Sequence, residues 1–296
     1  MTEIAVTIVG NDLNTTIENR AAQAIWGAGA GSLRIDKLHQ GYALDILVKS
    51  DSPELAALLR EKLKDLGPFD IFVQDNGPFR KKKLIIADMD ATIIKQETLN
   101  ELAAHLGIQA EISAITEKAM NGEIDFSEAL RQRVKMLAGL PLSALSETLD
   151  KIQYSAGAAT LAKTMNRYQA KCMLVSGGFE FFTVPVAEKI GFSRSFGNRL
   201  EIFDGKLTGE IIPPIFDKKT KAQTVVSQAQ MLGCPLQSVM AIGDGANDVP
   251  MLQKAGTGVG YFGKPAVLAA TPHQIRHTDL VSVLYMQGYR QQELVL

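Results

Sequence analysis

The chain has 296 residues, 46% of them hydrophobic and 21% charged, an ordinary globular composition that excludes collagen-like, coiled-coil and disordered readings. Its 31 Lys and Arg against 32 Asp and Glu leave a formal charge of -1. No global basic field exists to hold nucleic acid or an anionic membrane, so any bound anion must be held by local groups.

At roughly 150 residues per domain the chain is about two domains long. Glu3 stands where a signal peptide would carry positive charge, the apolar run 4–9 is short, and no stretch reaches about 18 apolar residues, so neither export nor membrane spanning is expected. Alternation predicts a strand over 4–9, helical periodicity a helix over 15–28, and two further strands over 33–37 and 42–49 around a hairpin at Gly41. Ser52 and Pro53 signal the start of a helix running to Leu66, and 69–74 reads as a strand. The order βαββαβ resembles ACT-like, ferredoxin-type modules, on pattern alone. Trp26 reads as core of this module. The run Gly27-Ala28-Gly29-Ala30-Gly31 follows a helix rather than a strand, which makes it a helix end and turn and not a dinucleotide loop. Asn76-Gly77-Pro78 breaks the pattern and sets a first module at 1–78, while Arg80-Lys81-Lys82-Lys83 reads as a solvated lead-in to the first core strand of a second unit.

From Leu84 the pattern changes to βα units over 79–296, starting with an apolar run, 84–87, of the kind a strand buried on both faces requires. Residues of about 99–154 carry amphipathic helical segments broken at Gly107, Gly122 and Gly139-Leu140-Pro141, with no good strand among them: a helical insertion. Strand-like runs return at 171–175, 239–243 and 257–260, so the body is expected to be a Rossmann-like α/β domain with an open parallel sheet. Asp204-Gly205, flanked by runs at 198–203 and 206–212, predicts a β-hairpin flap. His273 and His277 lack a neighbouring Glu and read as surface histidines. Cys172 and Cys234, far apart, exclude a CxxC metal site and fit a reducing cytoplasm.

Three strand ends carry chemistry. The first ends in Asp88-Met89-Asp90-Ala91-Thr92, placing two carboxylates where open α/β sheets bind ligands. Acids this close repel unless a cation or proton intervenes, and hard oxygen ligands beside a phosphate favour Mg2+; alone, the same pattern is equally a helix cap. The run 239–243 ends in Gly243-Asp244-Gly245-Ala246-Asn247-Asp248, where a tight turn brings Asp244 toward a metal and Asp248 in to support it. The run 171–175 ends in Ser176-Gly177-Gly178, whose hydroxyl and unhindered N–H groups suit phosphate oxygens. Lys221, opening a helix over 221–232, supplies a point charge for a phosphoryl group or, read by itself, is one of several solvated lysines.

The ordered set DxDxT, Ser-Gly, Lys and GDGxxD resembles the haloacid-dehalogenase superfamily of aspartate-nucleophile phosphotransferases. Glu97-Thr98-Leu99-Asn100-Glu101, Lys118-Ala119-Met120-Asn121-Gly122, Phe126 and Leu130-Arg131-Gln132-Arg133 narrow the resemblance to its phosphoserine phosphatase family, over about 84–271. Ala91 departs from the pattern, where a serine is common. The resemblance implies Mg2+-dependent hydrolysis of phosphoserine as the last step of serine biosynthesis, with Asp88 as nucleophile and Asp90 as acid and base. It implies that Asp88, the Asp90 carbonyl and Asp244 hold the metal with Asp248 in support, and that Ser176, Gly177, Lys221 and Asn247 hold the substrate's phosphoryl end. Glu97 and Arg133 would read the ammonium and carboxylate, with Met120 and Phe126 closing over them. A cytoplasmic enzyme, free of nucleic acid and membrane and with a homodimer as an allowed assembly, is the resulting expectation. The alternative is a phosphatase or phosphotransferase for another small amino-containing phosphomonoester, because the core motifs specify phosphoryl chemistry and only the insertion specifies the substrate. A non-catalytic amino-acid-binding regulator is disfavoured by the intact Asp88, Asp90, Lys221 and Asp244.

Overall fold

The computed structural model describes residues 2–50, 52, 54–120 and 123–296. At the N-terminus β1 (Thr2–Val9), α1 (Thr15–Gly27), β2 (Leu33–His39), β3 (Ala43–Ser50), α2 (Leu55–Leu63) and β4 (Asp70–Asp75) form an antiparallel sheet in the order β2-β3-β1-β4. Asn14 caps α1 by accepting from the N–H groups of Thr16 and Ile17. The second helix ends at Leu63 and not at Leu66, because the chain turns toward Gly67, whose φ of 138° lies outside any helix; Pro53, expected at its start, lies outside the described residues.

Residues 43–48 of β3 are all buried, which requires cover on both faces. One face, with Leu44, Ile46 and Val48, packs against Ile25 of α1 and Leu59 of α2. The other meets the C-terminal part of the chain: Val9, Ala43 and Phe72 share a core with Tyr285 and Tyr289. Trp26 corrects the expectation of a core residue, being 57% exposed. A helix turns about 100° per residue, and Ile25 already occupies the buried face.

Polar ties reinforce this contact. The Asp70 carboxylate accepts from the backbone N–H groups of Arg276 (2.8 Å), His277 (3.1 Å) and Thr278 (3.0 Å). Arg80 forms a buried ion pair with Asp45 at 2.8 Å and donates to the Met286 carbonyl. Arg80 and Lys82 are therefore not a solvated lead-in: both are buried, and Lys82 Nζ donates to the Gln237 carbonyl at 3.0 Å. His273 is likewise buried and not on the surface, facing Phe72.

The larger sheet begins with β5 (Leu84–Ala87), completely buried. The insertion follows as α3 (Thr98–Ala104), α4 (Gln109–Met120), α5 (Phe126–Lys135) and α6 (Leu142–Asp150). Its stem closes through Lys95 N–H to the Gln153 carbonyl at 2.9 Å. Then come α7 (Ala158–Arg167), β6 (Lys171–Phe179), α8 (Glu180–Ile190), β7 (Arg194–Phe203), β8 (Lys206–Ile212), α9 (Lys218–Met231), β9 (Val239–Gly243), α10 (Val249–Lys254), β10 (Thr257–Tyr261), α11 (Pro265–Ala270), β11 (Gln274–Ile275) and α12 (Ser282–Met286). The strand order is β11-β10-β9-β5-β6-β7-β8, parallel except for β8, which pairs antiparallel with β7.

Chain order runs outward in one direction from β5 through β6 and in the other through β9. That reversal opens a crevice at the C-terminal ends of β5, β6 and β9, the three strands whose tips carry the acidic and Ser-Gly motifs. The hairpin of β7 and β8 packs under the insertion, with Gly139 N–H donating to the Leu207 carbonyl at 2.8 Å. Among the described residues no helix is long and apolar enough to cross a membrane.

Candidate active site

A cavity of about 470 Å³ lies between the helical insertion and the strand tips. Asp88, Asp90, Ser176, Gly177, Asp244 and Asn247 line it from the sheet side, and Glu97, Phe126 and Arg133 from the insertion side. Asp88 leaves β5 in extended conformation, and Ala91, at φ 52°, takes the next turn through the left-handed region. The main chain thereby doubles back so that both carboxylates face one space.

Asp90 is held at both oxygens: Oδ1 accepts from Thr98 N–H at 2.7 Å and Oδ2 from Ser176 Oγ at 3.1 Å. Burial raises its pKa, and the Thr98 hydrogen bonds pull the other way without cancelling that rise. Ser176 Oγ in turn accepts from Gly178 N–H at 2.8 Å. The Ser-Gly turn is tied to the segment before α9 by Asn198, whose Nδ2 donates to the Gly177 carbonyl (2.8 Å) and whose Oδ1 accepts from Phe216 N–H (2.7 Å).

Lys221 is only 1% exposed and donates to Asp88 Oδ1 at 2.5 Å and to Asp248 Oδ1 at 2.7 Å. Its helix begins three residues earlier than expected, capped by Asp217, so Lys221 sits inside the first turn and points down into the sheet tips, while Lys218, on the cavity's lining, and Lys219 are exposed. Burial opposes its charge, but Asp248 and Asp88 outweigh that and raise its pKa. Asp248 Oδ2 accepts from the N–H groups of Asp244 (3.2 Å) and Gly245 (3.1 Å), locking the loop after β9. Gly243 is required there: a Cβ would come within 2.6 Å of the Asp248 carboxylate.

Asp88, Asp244 and Asp248 present oxygens within 4.8 Å of one another, all buried. Burial pushes Asp88 well above the usual carboxylate range, and Asp248 adds to the rise while Lys221 opposes it. Burial likewise raises Asp244, against the pull of Lys264. With Asp90 there are four carboxylates to two ammonium groups, so the ionised site carries excess negative charge, and its all-oxygen donors suit a hard divalent cation.

On the insertion side, Arg133 Nη1 donates to Thr116 Oγ1 (3.0 Å) and Nε to the Ala129 carbonyl (3.1 Å), which aims the guanidinium across α4 and α5. Glu97, half accessible into the cavity yet surrounded by protein, has its pKa pushed up to about 7, chiefly by burial and next by Asp90. Glu97 and Arg133 make no direct ion pair; Glu97 instead faces Lys264 Nζ at 3.7 Å. Phe126 reaches over Gly177, where a Cβ would stand 3.0 Å from its Cζ. The Met120 side chain lies outside the described residues, as do Asn121 and Gly122. Thr98, Thr116 and Lys264 line the cavity and Asn198 braces the Ser-Gly turn, and sequence reasoning assigned none of the four a place in the site. Only Lys264 carried a signal, a lone Lys-Pro after a short strand, and such a signal has no meaning until the fold brings it to Asp244.

A family model described as haloacid dehalogenase-like hydrolase matches residues 85–253. The chain is 38% identical over 226 residues to a phosphoserine phosphatase of Mycobacterium tuberculosis, covering 76% of this chain and about half (55%) of that longer protein. It is 32% identical over 305 aligned residues to the phosphoserine phosphatase of Saccharomyces cerevisiae, covering 99% of each. Among solved structures, a haloacid-dehalogenase-family hydrolase of Salmonella enterica serovar Typhi superposes with a TM-score of 0.85 at 30% identity, over 96% of this chain and 98% of that one.

Proposed function

Because the chain belongs to the haloacid dehalogenase-like hydrolases, and within them to the phosphoserine phosphatases, we propose that this cavity hydrolyses O-phosphoserine to serine and phosphate, with Asp88 as nucleophile. The observation that carries the reading is the two-sided site. A buried Asp88–Lys221 pair forms its floor, and a carboxylate and a guanidinium, Glu97 and Arg133, face it from the insertion. With a divalent cation offsetting the acids, that charge pattern would complement a phosphate at one end and a zwitterion at the other.

Asp88 attacks phosphorus, forming an aspartyl-phosphate as the bond to the serine oxygen breaks. Asp90, whose raised pKa lets it hold a proton, delivers that proton to the departing serine oxygen. It then removes a proton from the water that attacks the aspartyl-phosphate, returning Asp88 and releasing phosphate. Ser176, Gly177 and Asn247 hold the transferring oxygens, and Lys221 neutralises charge beside Asp88. Asp88, Asp244 and the Asp90 carbonyl would hold Mg2+, with Asp248 keeping the loop in place. When bound, the ion supplies positive charge opposite the phosphoryl oxygens. Arg133 takes the substrate carboxylate and Glu97 its ammonium group, while Phe126, with Met120, closes the site against water.

The first 78 residues act as an ACT-like module outside the reacting groups. Both cysteines are free and buried, which supports a reducing cytoplasm as the setting. The test is phosphate and serine release from a panel of phosphoserine, phosphothreonine and sugar phosphates, with and without Mg2+. Mg2+-dependent turnover highest on phosphoserine is expected. A sugar phosphate turned over better would overturn the substrate reading, and equal rates in a chelator would overturn the metal.

A further inference from the structure

Lys264 links the sheet side of the cavity to its insertion side, lying near both Asp244 and Glu97. It follows β10 and caps α11, where Pro265 begins the helix. Its backbone N–H donates to the Asp244 carbonyl at 2.8 Å, so its main chain is anchored to the loop that carries Asp244. Its Nζ lies 2.9 Å from Asp244 Oδ2 and 3.7 Å from Glu97 Oε1. One ammonium group therefore spans the carboxylate that would hold the metal and the one that would read the substrate's ammonium.

We propose that Lys264 is a displaceable counter-ion. It balances Asp244 and Glu97 in the metal-free, substrate-free protein and yields each in turn, Asp244 to the divalent cation and Glu97 to the ammonium group of phosphoserine. This rests on the proposed roles of Asp244 and Glu97. Lys221 cannot serve in its place, since it is 1% exposed and engaged by both Asp88 and Asp248. Lys264 has the opposite character: its side chain is 42% exposed and rides on a flexible four-carbon stem, so it can withdraw to solvent while its backbone stays fixed. Asp244 is only 8% exposed, so its ionised carboxylate is poorly solvated and favours a cation beside it. Lys264 and the divalent cation consequently compete for one carboxylate, and Lys264 is a positioning residue that sets metal affinity and never touches the reacting atoms.

The test is calorimetric titration of Mg2+ into the substrate-free protein for wild type, Lys264→Met, Lys264→Gln and Lys264→Arg, with phosphoserine turnover measured alongside. Both neutral variants are expected to bind Mg2+ roughly 3- to 10-fold more tightly than wild type, the release of a partly screened competitor. Lys264→Arg, which keeps the charge, should stay within about 2-fold of wild type. Two neutral variants guard against one failing to fold, and thermal melting in a chelator verifies each. Wild type that binds Mg2+ and turns over phosphoserine, with neutral variants of equal or weaker Mg2+ affinity, would overturn the role of Lys264 and leave the proposed function standing. Wild type that turns over phosphoserine but binds no Mg2+ would overturn the metal reading and this inference together.

Discussion

The Asp90 carboxylate accepts the backbone N–H of Thr98 at 2.7 Å, so the proposed acid and base of the core is fastened to the first residue of the helical insertion. Moving the insertion against the core must stretch this bond or turn the Asp90 side chain with it. Asp90→Asn is therefore expected to lower kcat by about 10²-fold or more, the usual worth of general acid and base catalysis. Rapid quench should still show a trace of phosphorylated protein. A variant within threefold of wild type would remove Asp90 from the proton transfers.

Asp88→Asn is expected to abolish steady-state phosphate release while leaving the melting temperature equal or higher. Asp88 sits among Asp90, Asp244 and Asp248 and burial already penalises its charge, so the substitution removes repulsion along with the proposed nucleophile, while Lys221, losing Asp88, keeps its ion pair with Asp248. Retained turnover, with contamination excluded, would contradict covalent catalysis.

Arg133→Ala is expected to cost roughly 2 to 5 kcal/mol in kcat/KM for phosphoserine by leaving its carboxylate unpaired in an enclosed site. Phosphoethanolamine lacks that carboxylate and should lose far less. Parallel kinetics on the two substrates decide it: equal losses would assign Arg133 to holding α4 against α5 through Thr116.

Glu97 carries a pKa pushed up to about 7 in the substrate-free site. Its charged form, the one proposed to attract the substrate ammonium, is complete above that pH and lost as pH falls through it. KM for phosphoserine should rise as the pH is lowered from about 8 to about 6. In Glu97→Gln this rise should vanish, leaving a high and pH-independent KM, and a wild-type slope retained in the variant would place the titration elsewhere.

His273 is buried with its pKa lowered to about 3, mainly by burial and further by Arg60 and Lys82. An unfolded histidine binds its proton near pH 6.5, so the folded state binds fewer protons below that value. The stability contribution is whole above about pH 6.5 and lost on acidification, at up to about 1.4 kcal/mol per pH unit until the folded pKa is reached. Denaturant unfolding of wild type and His273→Gln between about pH 7 and pH 5 should show a shallower slope in the variant. Parallel slopes would mean that His273 does not titrate in this way.

Local chemistry was enough to place most elements, because their causes are local. The apolar runs at β5 and β9, the Asp204-Gly205 turn and the order of the acidic motifs lie within a few residues of what they determine. The acids' shared crevice was also legible, since a buried parallel strand can deliver its final carboxylates only to the sheet's C-terminal edge. What a residue touches across the fold was not. Trp26 and Ile25 are both large hydrophobic residues, and the helix phase set by the sheet beneath decides which is buried. Arg80, Lys82 and His273 read as surface residues because nothing nearby in sequence shows what covers them: Asp45, 35 positions away, pairs Arg80, the distant Gln237 and Gln287 bond Lys82, and Phe72 faces His273. Lys221 and Lys264 are the sharpest case. Each is a lysine beside a helix start, but α9 turns one inward onto Asp88 and Asp248 while the loop after β10 leaves the other half exposed between Asp244 and Glu97. Charge and spacing are written in the chain. Burial, which decides whether a charge is screened or must be paired, belongs to the assembled fold alone.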